Sequence, residues 1–178
     1  MGVNPLEGRH KARRPGVGHA RTRRGGPSSH PGRTTMTSIT ASIGIAAPPA
    51  AVWKVLMDWD RYPDWNPMLR GIAGQQRRGA KITVSIASPV GTLAIPAVVT
   101  RIAANSGITW HSKMRLSGLF DRDHVIELSP DPVGCRLTQT QTFAGLLAPG
   151  ASVVATRTVR DGLEKMNAAL RDRVEAAR

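Results

Sequence analysis

The chain has 178 residues, 40% of them apolar and 21% charged, which fits one globular domain with a tail and excludes a fibrous or wholly disordered protein. Its formal net charge is +13, and residues 1–35 hold eight Arg/Lys against one Glu. No apolar run reaches the roughly 18 residues of a membrane-spanning helix, and the single cysteine, Cys135, excludes an internal disulfide and a Cys-rich zinc site.

Residues 1–35 also hold seven of the 18 glycines and four of the 13 prolines. With few large apolar side chains, such a stretch cannot offset the entropy of ordering itself, and a disordered basic tail is predicted. No apolar segment follows Arg13-Arg14 or Arg23-Arg24 in the manner of a secretory signal. Two readings of the tail stand open. One is a translation start placed upstream of the true one at Met36. The other is a flexible arm making weak contact with an anionic surface. Residues 36–178 show no nucleic-acid motif, and no specific nucleic-acid partner is expected. The cysteine usage fits a cytoplasmic protein.

From Met36 the pattern becomes regular. Ile39, Ala41, Ile43 and Ile45 alternate with Thr40, Ser42 and Gly44, a half-buried strand. Pro48 and Pro49 end it and suit the first turn of a helix, in which Val52, Leu56 and Trp59 share one face. Tyr62-Pro63-Asp64-Trp65-Asn66-Pro67 breaks that helix, through a further helical turn. Alternation then returns in Ile82–Ile86, Leu93–Ile102, Ile108–Met114, Phe120–Leu128 and Cys135–Phe143, separated by turns rich in Pro, Gly, Asn and Ser. Ser129–Gly134 is the strongest of these turns. After Pro149-Gly150, the residues Val159, Leu163, Met166, Leu170 and Val174 form the apolar stripe of a long helix. The order is strand, helix, about six more strands, long helix. It predicts an α+β fold: a curved antiparallel sheet of about seven strands around a C-terminal helix, with two short helices after the first strand. Where sheet and helix part, an elongated pocket for an apolar ligand is expected.

Polar residues that fall on the apolar phase of a strand mark where that pocket would differ from plain core. In the last strand Gln139 and Gln141 share the phase of Cys135, Leu137 and Phe143. In the strand before it His124 shares the phase of Ile126 and Leu128. The two strands form a hairpin, so His124 sits opposite Gln141 or Gln139, according to register. Buried amides and imidazoles need partners. The three either satisfy one another and set register, or they orient the carbonyl or hydroxyl of a ligand. Trp65 and Asn66 are placed to close one end of the pocket. Trp110, Met114, Phe120, Ile126 and Phe143 are placed to line it, and Met166 to form its floor. Trp53, Trp59 and Tyr62 read as anchors of the short helices. His111, on the opposite phase from Trp110, faces solvent. His124 is the one candidate acid–base group. No inward carboxylate, nucleophile–base pair, metal cluster, phosphate loop or dinucleotide fingerprint accompanies it, so neither metal nor cofactor is expected.

Val52-Trp53…Leu56…Asp58…Tyr62…Trp65-Asn66-Pro67 resembles the opening signature of the SRPBCC superfamily, the START-like helix-grip proteins. Trp110…Gly118-Leu119-Phe120-Asp121…His124…Glu127-Leu128, Thr138…Phe143-Ala144-Gly145-Leu146-Leu147 and Met166-Asn167-Ala168-Ala169-Leu170 resemble its bacterial polyketide cyclase/dehydratase-like branch. The resemblance covers about residues 37–176. It implies a helix-grip fold with a cavity for lipids, polyketides or other apolar molecules. In relatives that act as cyclases, polar cavity residues steer aldol-type closure and dehydration. His and Glu often stand there where this chain has Gln139 and Gln141, a change that keeps hydrogen bonding and removes proton transfer. The leading expectation is therefore a soluble binding or carrier protein for a hydrophobic small molecule. The alternatives are a cyclase/dehydratase using His124 as acid–base, and an electrostatic adaptor acting through the tail. Nothing in the residues indicates the oligomeric state.

Overall fold

The structure is a computed structural model and describes residues 36–88, 91–113, 121–144 and 152–177. The arginine-rich stretch 1–35, Met114 and Phe120 lie outside the described residues. The elements run β1 (Met36–Ile45), α1 (Pro49–Met57), a single 3-10 turn (Trp59–Arg61), α2 (Tyr62–Trp65), β2 (Leu69–Gly74), β3 (Lys81–Ser88), β4 (Gly91–Ala103), β5 (Gly107–Lys113), β6 (Asp121–Asp131), β7 (Gly134–Ala144) and α3 (Ser152–Glu175). The fold is α+β: a curved, fully antiparallel seven-stranded sheet ordered β1-β7-β6-β5-β4-β3-β2, with a C-terminal helix and two short helices after the first strand.

Each turn of the chain has a local cause. Proline at the first position of α1 carries no N–H to leave unpaired and holds the helical φ. The Tyr62 hydroxyl donates to the Leu56 carbonyl at 2.8 Å, clasping α2 onto the end of α1, and burial pushes its pKa well above the ordinary value. Asn66 Oδ1 accepts from the backbone N–H of Met68 (3.0 Å) and Leu69 (2.9 Å), which starts β2. Register shifts at Leu69/Gly71 and Val99/Arg101 bend their strands, as an extra residue on one side of a ladder must. At the β4–β5 turn Asn105 is left-handed (φ 59°), and Gly107 (φ 149°) lies against the Ile126 carbonyl, where any side chain would collide.

Two details differ from the sequence reading. β2 was not expected as a distinct strand, because Arg70, Gly71 and Gly74 leave only Leu69 and Ile72 to show alternation. The β6–β7 turn is shorter than Ser129–Gly134: pairing continues through Pro130↔Cys135 to Asp131↔Gly134, leaving Pro132 and Val133 as the loop. An Arg136–Asp131 ion pair at 2.7 Å closes it.

The stripe on α3 points inward as its spacing requires. Leu163, Met166, Leu170 and Val174 are buried, and Met166, Leu170 and Val174 join Val52, Leu56, Trp59, Tyr62, Trp110, Ile126 and Leu137 in the core. The backbone of α3 comes closest to β1 and α1. Arg160 donates to the Thr40 carbonyl (3.0 Å), and Glu175 accepts from the Ala46 N–H (2.8 Å), so side chains of the helix serve backbone groups along an edge strand. Outside the sheet, Ser38–Thr142, Thr40–Thr140 and Ser42–Thr138 form a ladder of hydroxyl pairs at 2.9–3.0 Å. No helix among the described residues is long and apolar enough to cross a membrane.

Candidate functional site

The alternation of β5, β6 and β7 decides which side chains meet beneath the sheet. Cross-strand pairing places Ile108, Ile126, Gln139 and Ala41 in one row, and Trp110, His124, Gln141 and Ile39 in the next. A third row holds Ser112, Arg122, Phe143 and Thr37, one position in from the strand ends at Lys113, Asp121 and Ala144. Gln139, Gln141 and His124 are each 2% exposed or less. The register sets His124 opposite Gln141, yet its short bond runs diagonally.

His124 Nε2 lies 2.8 Å from Gln139 Oε1, and Gln139 Nε2 donates to Asn167 Oδ1 on α3 at 2.7 Å. On the other side of the ring, Gln141 Nε2 approaches His124 Nδ1 at a longer 3.4 Å. An amide oxygen only accepts, so the Nε2 atom carries the proton and Nδ1 offers its lone pair. The network thus specifies a neutral imidazole. Burial, with a smaller effect from the Arg122 charge, pushes the His124 pKa down to about 3, against a weaker upward pull from Gln139. The Trp110 ring centroid stands 4.6 Å from that of His124, at 57°.

A neutral histidine of such low basicity is a poor proton acceptor at pH 7 and has no proton to give as imidazolium. What the strip offers instead is hydrogen bonding. Of the five buried side-chain atoms without a partner among the described residues, three are Trp110 Nε1, Ser112 Oγ and Asn167 Nδ2, and the others belong to Trp59 and Asn66. Trp110, Ser112 and Asn167 stand on the inner side, around the His124–Gln139–Asn167 chain. Unpaired buried polar atoms are costly, since each gives up its hydrogen bonds to water without replacement.

The other sequence-predicted residues are distributed as follows. Ile126 and Met166 are fully buried in the main core, while Phe143 is half-buried and packs with Ile39, Ala41 and Leu163. Trp65 is half-buried, edge-on to Tyr62 with centroids 5.0 Å apart. Asn66 is buried with its oxygen engaged by the start of β2, and its Nδ2 is unpaired. These two belong to the α2–β2 corner and are not joined by any hydrogen bond to the His124 network. Trp59 and Tyr62 are buried anchors, and Trp53 packs against the same core. His111 faces outward and pairs with Asp123 at 2.7 Å. Beside it, an open groove of about 450 Å³ crosses the outer face, lined by Lys81, Thr83, Pro96 and Val98 among others. It lies on the opposite side of the sheet from His124. No group of three or more His, Cys, Asp or Glu that could hold a metal occurs among the described residues. Burial pushes the Cys135 thiol upward, away from reactive thiolate.

Sequence reasoning missed two members of the site. Asn167 falls four residues after Leu163 and three before Leu170, a polar residue on an apolar helix stripe. Arg122 falls two residues before His124, on the same strand phase. The test that found Gln139 and Gln141 would have found both. Ser112, two residues after Trp110 on the same face of β5, was given no role by the sequence reading.

With this geometry in view, comparisons with known proteins are specific. The profile of a family described as "Polyketide cyclase / dehydrase and lipid transport" matches residues 36–175. No curated protein matches the chain. Among solved structures, protein MLL2253 from Mesorhizobium loti is similar at TM-score 0.64 and 16% identity, over 80% of this chain and 99% of that one. A START superfamily protein from Mycobacterium smegmatis is similar at TM-score 0.62 and 19% identity, over 80% and 99%. The di-domain ARO/CYC StfQ of the steffimycin biosynthetic pathway is similar at TM-score 0.59 and 14% identity, over 79% of this chain and 50% of that one. At these identities the structural likeness is one of fold.

Proposed function

Because the chain belongs to the polyketide cyclase / dehydrase and lipid transport family, within the START-like superfamily, we propose that it is a binding or carrier protein that holds a hydrophobic small molecule between the inner face of the sheet and α3. The observation that carries this reading is the hydrogen-bonded strip His124–Gln139–Asn167, set in apolar surroundings and flanked by orphaned polar atoms of Trp110, Ser112 and Asn167. Apolar walls supply affinity, and a few placed polar groups supply orientation. A lipid, a polyketide or an aromatic compound would meet both needs.

Native mass spectrometry of freshly purified protein, followed by a thermal-shift panel of lipophiles, tests the proposal. A copurifying small molecule, or a compound that raises the melting temperature with saturable dose dependence, is expected. At a hundredfold excess over Kd, ligand stabilisation reaches about 2.7 kcal/mol. A protein that carries nothing and responds to no member of a broad panel would overturn it.

A second reading, cyclisation or dehydration with His124 as acid–base, is favoured by the family's own description. The same imidazole argues against it, since its basicity is too low for efficient proton transfer near neutrality. If that chemistry occurs, His124→Ala should abolish turnover while the protein stays folded. Turnover that survives the substitution removes the mechanism.

A further inference from the structure

Among the described residues, the inner face carries one charged residue that the His124 network does not use. Arg122 shares the phase of His124, Ile126 and Leu128, and so projects to the same side of β6. It is partly buried, with direct cross-strand neighbours Ser112 and Phe143. Two residues before His124 on the same face of β6, it stands beside the polar strip; its charge adds to the lowering of the His124 pKa, and burial lowers its own. No ion pair joins it to an acid among the described residues. Asp123 turns outward to His111, Glu127 pairs loosely with Arg101 at 3.9 Å, and Asp121 is exposed.

Next to it, Ser112 is 2% exposed and its hydroxyl is unpartnered. Two residues along β5 on the same face is Trp110, whose indole N–H is also unpartnered, and Asn167 adds a free amide N–H from α3. A guanidinium, an indole N–H and an amide nitrogen only donate, and a serine hydroxyl can do so. The unmet demand on this face is thus for acceptors. It is concentrated around one positive charge, on the row nearest the strand ends.

We infer that the molecule held beneath the sheet carries a carboxylate, received by Arg122 and Ser112, with its apolar body running inward past Trp110 and His124. The inference rests on the binding reading above and names the chemical class of its ligand. One guanidinium compensates one negative charge in a planar, two-pronged geometry. A neutral carbonyl would leave the cation uncompensated, and a phosphate dianion would leave excess charge where water is scarce.

The test uses the full chain and matched probes: decanoic acid against methyl decanoate, and 2-naphthoic acid against its methyl ester. Binding at pH 7.5 is followed by tryptophan fluorescence and calorimetry. At least one acid should bind ten times more tightly than its ester or better. Arg122→Met should close that gap, and Arg122→Lys should keep part of it, with circular dichroism confirming the fold of each. Acid and ester bound equally by the wild-type protein would overturn the carboxylate inference and leave the binding reading standing. Because that comparison needs no variant, it decides even if Arg122→Met does not fold. Failure of all four probes to bind would count against the binding reading, and the inference would go with it.

Discussion

The buried residues on the two halves of the sheet's inner face are chemically unlike. Beneath β2, β3 and β4 the buried inward residues are Leu69, Ile72, Ile82, Val84, Ile95, Ala97 and Val99, without a polar side chain among them. Beneath β5, β6 and β7 the same alternation delivers Trp110, Ser112, His124, Gln139 and Gln141 among Ile108, Ile126, Leu128 and Leu137. The first half is an internal control for the second. It holds its register by apolar alternation alone, since a one-residue slip would turn every large side chain to solvent. The sheet therefore has no need of buried amides and an imidazole to define its pairing, and register does not account for them.

The largest consequence of that asymmetry is acid sensitivity. The unfolded chain binds a proton at His124 near pH 6.5, while the folded chain resists until about pH 3. Stability from this group is complete above the unfolded value and falls as pH drops through the interval, at about 1.4 kcal/mol per pH unit. Below about pH 3 both states are protonated and the slope from this residue ends. Urea unfolding from pH 7 to pH 4 should show a steep acid limb, and His124→Gln, which keeps hydrogen bonding without titration, should flatten it. Equal slopes in the two proteins would mean that His124 is not buried as a neutral group.

Next in size is damage to the apolar half. Leu69→Ala, at a residue 1% exposed, should cost about 2–5 kcal/mol through lost burial and a residual cavity. It should leave unchanged the preference between matched acid and ester probes, measured on the folded variant. A changed preference would show that the two halves are not independent.

The same contrast explains what could be read from residues alone. The fold was legible because most strands are half-buried and alternate cleanly, and because the α3 stripe repeats at helical spacing. β2 was not, because two glycines and an arginine in six residues erase its alternation. His124, Gln139 and Gln141 were legible as polar breaks in an apolar phase. Which glutamine bonds to the histidine was not, since a diagonal contact depends on twist and rotamer rather than on register. Asn167 shows the limit differently: its partner Gln139 is 28 positions away, and only the seating of α3 brings them to 2.7 Å. Arg122 escaped notice because a charged residue near a strand's start reads as exposed unless its phase is followed back from Ile126.

The smallest effect separates the two glutamines. Gln139 bridges β6 and α3 with bonds of 2.8 and 2.7 Å. Gln139→Leu should orphan the Nε2–H of His124 and the Oδ1 of Asn167 together, costing about 2–4 kcal/mol. Gln141 makes one contact of 3.4 Å to His124 Nδ1, and a lone ring nitrogen is the lesser loss. Gln141→Leu should therefore lower the unfolding free energy measured in urea by less than about 1 kcal/mol, the bond being too long for more. If Gln141→Leu proved the more damaging, the strip would be anchored across the hairpin rather than to the helix. The orphaned amide of Asn167 would then lose its place at the end of a hydrogen-bonded chain, leaving the strip no fixed link from the sheet to α3.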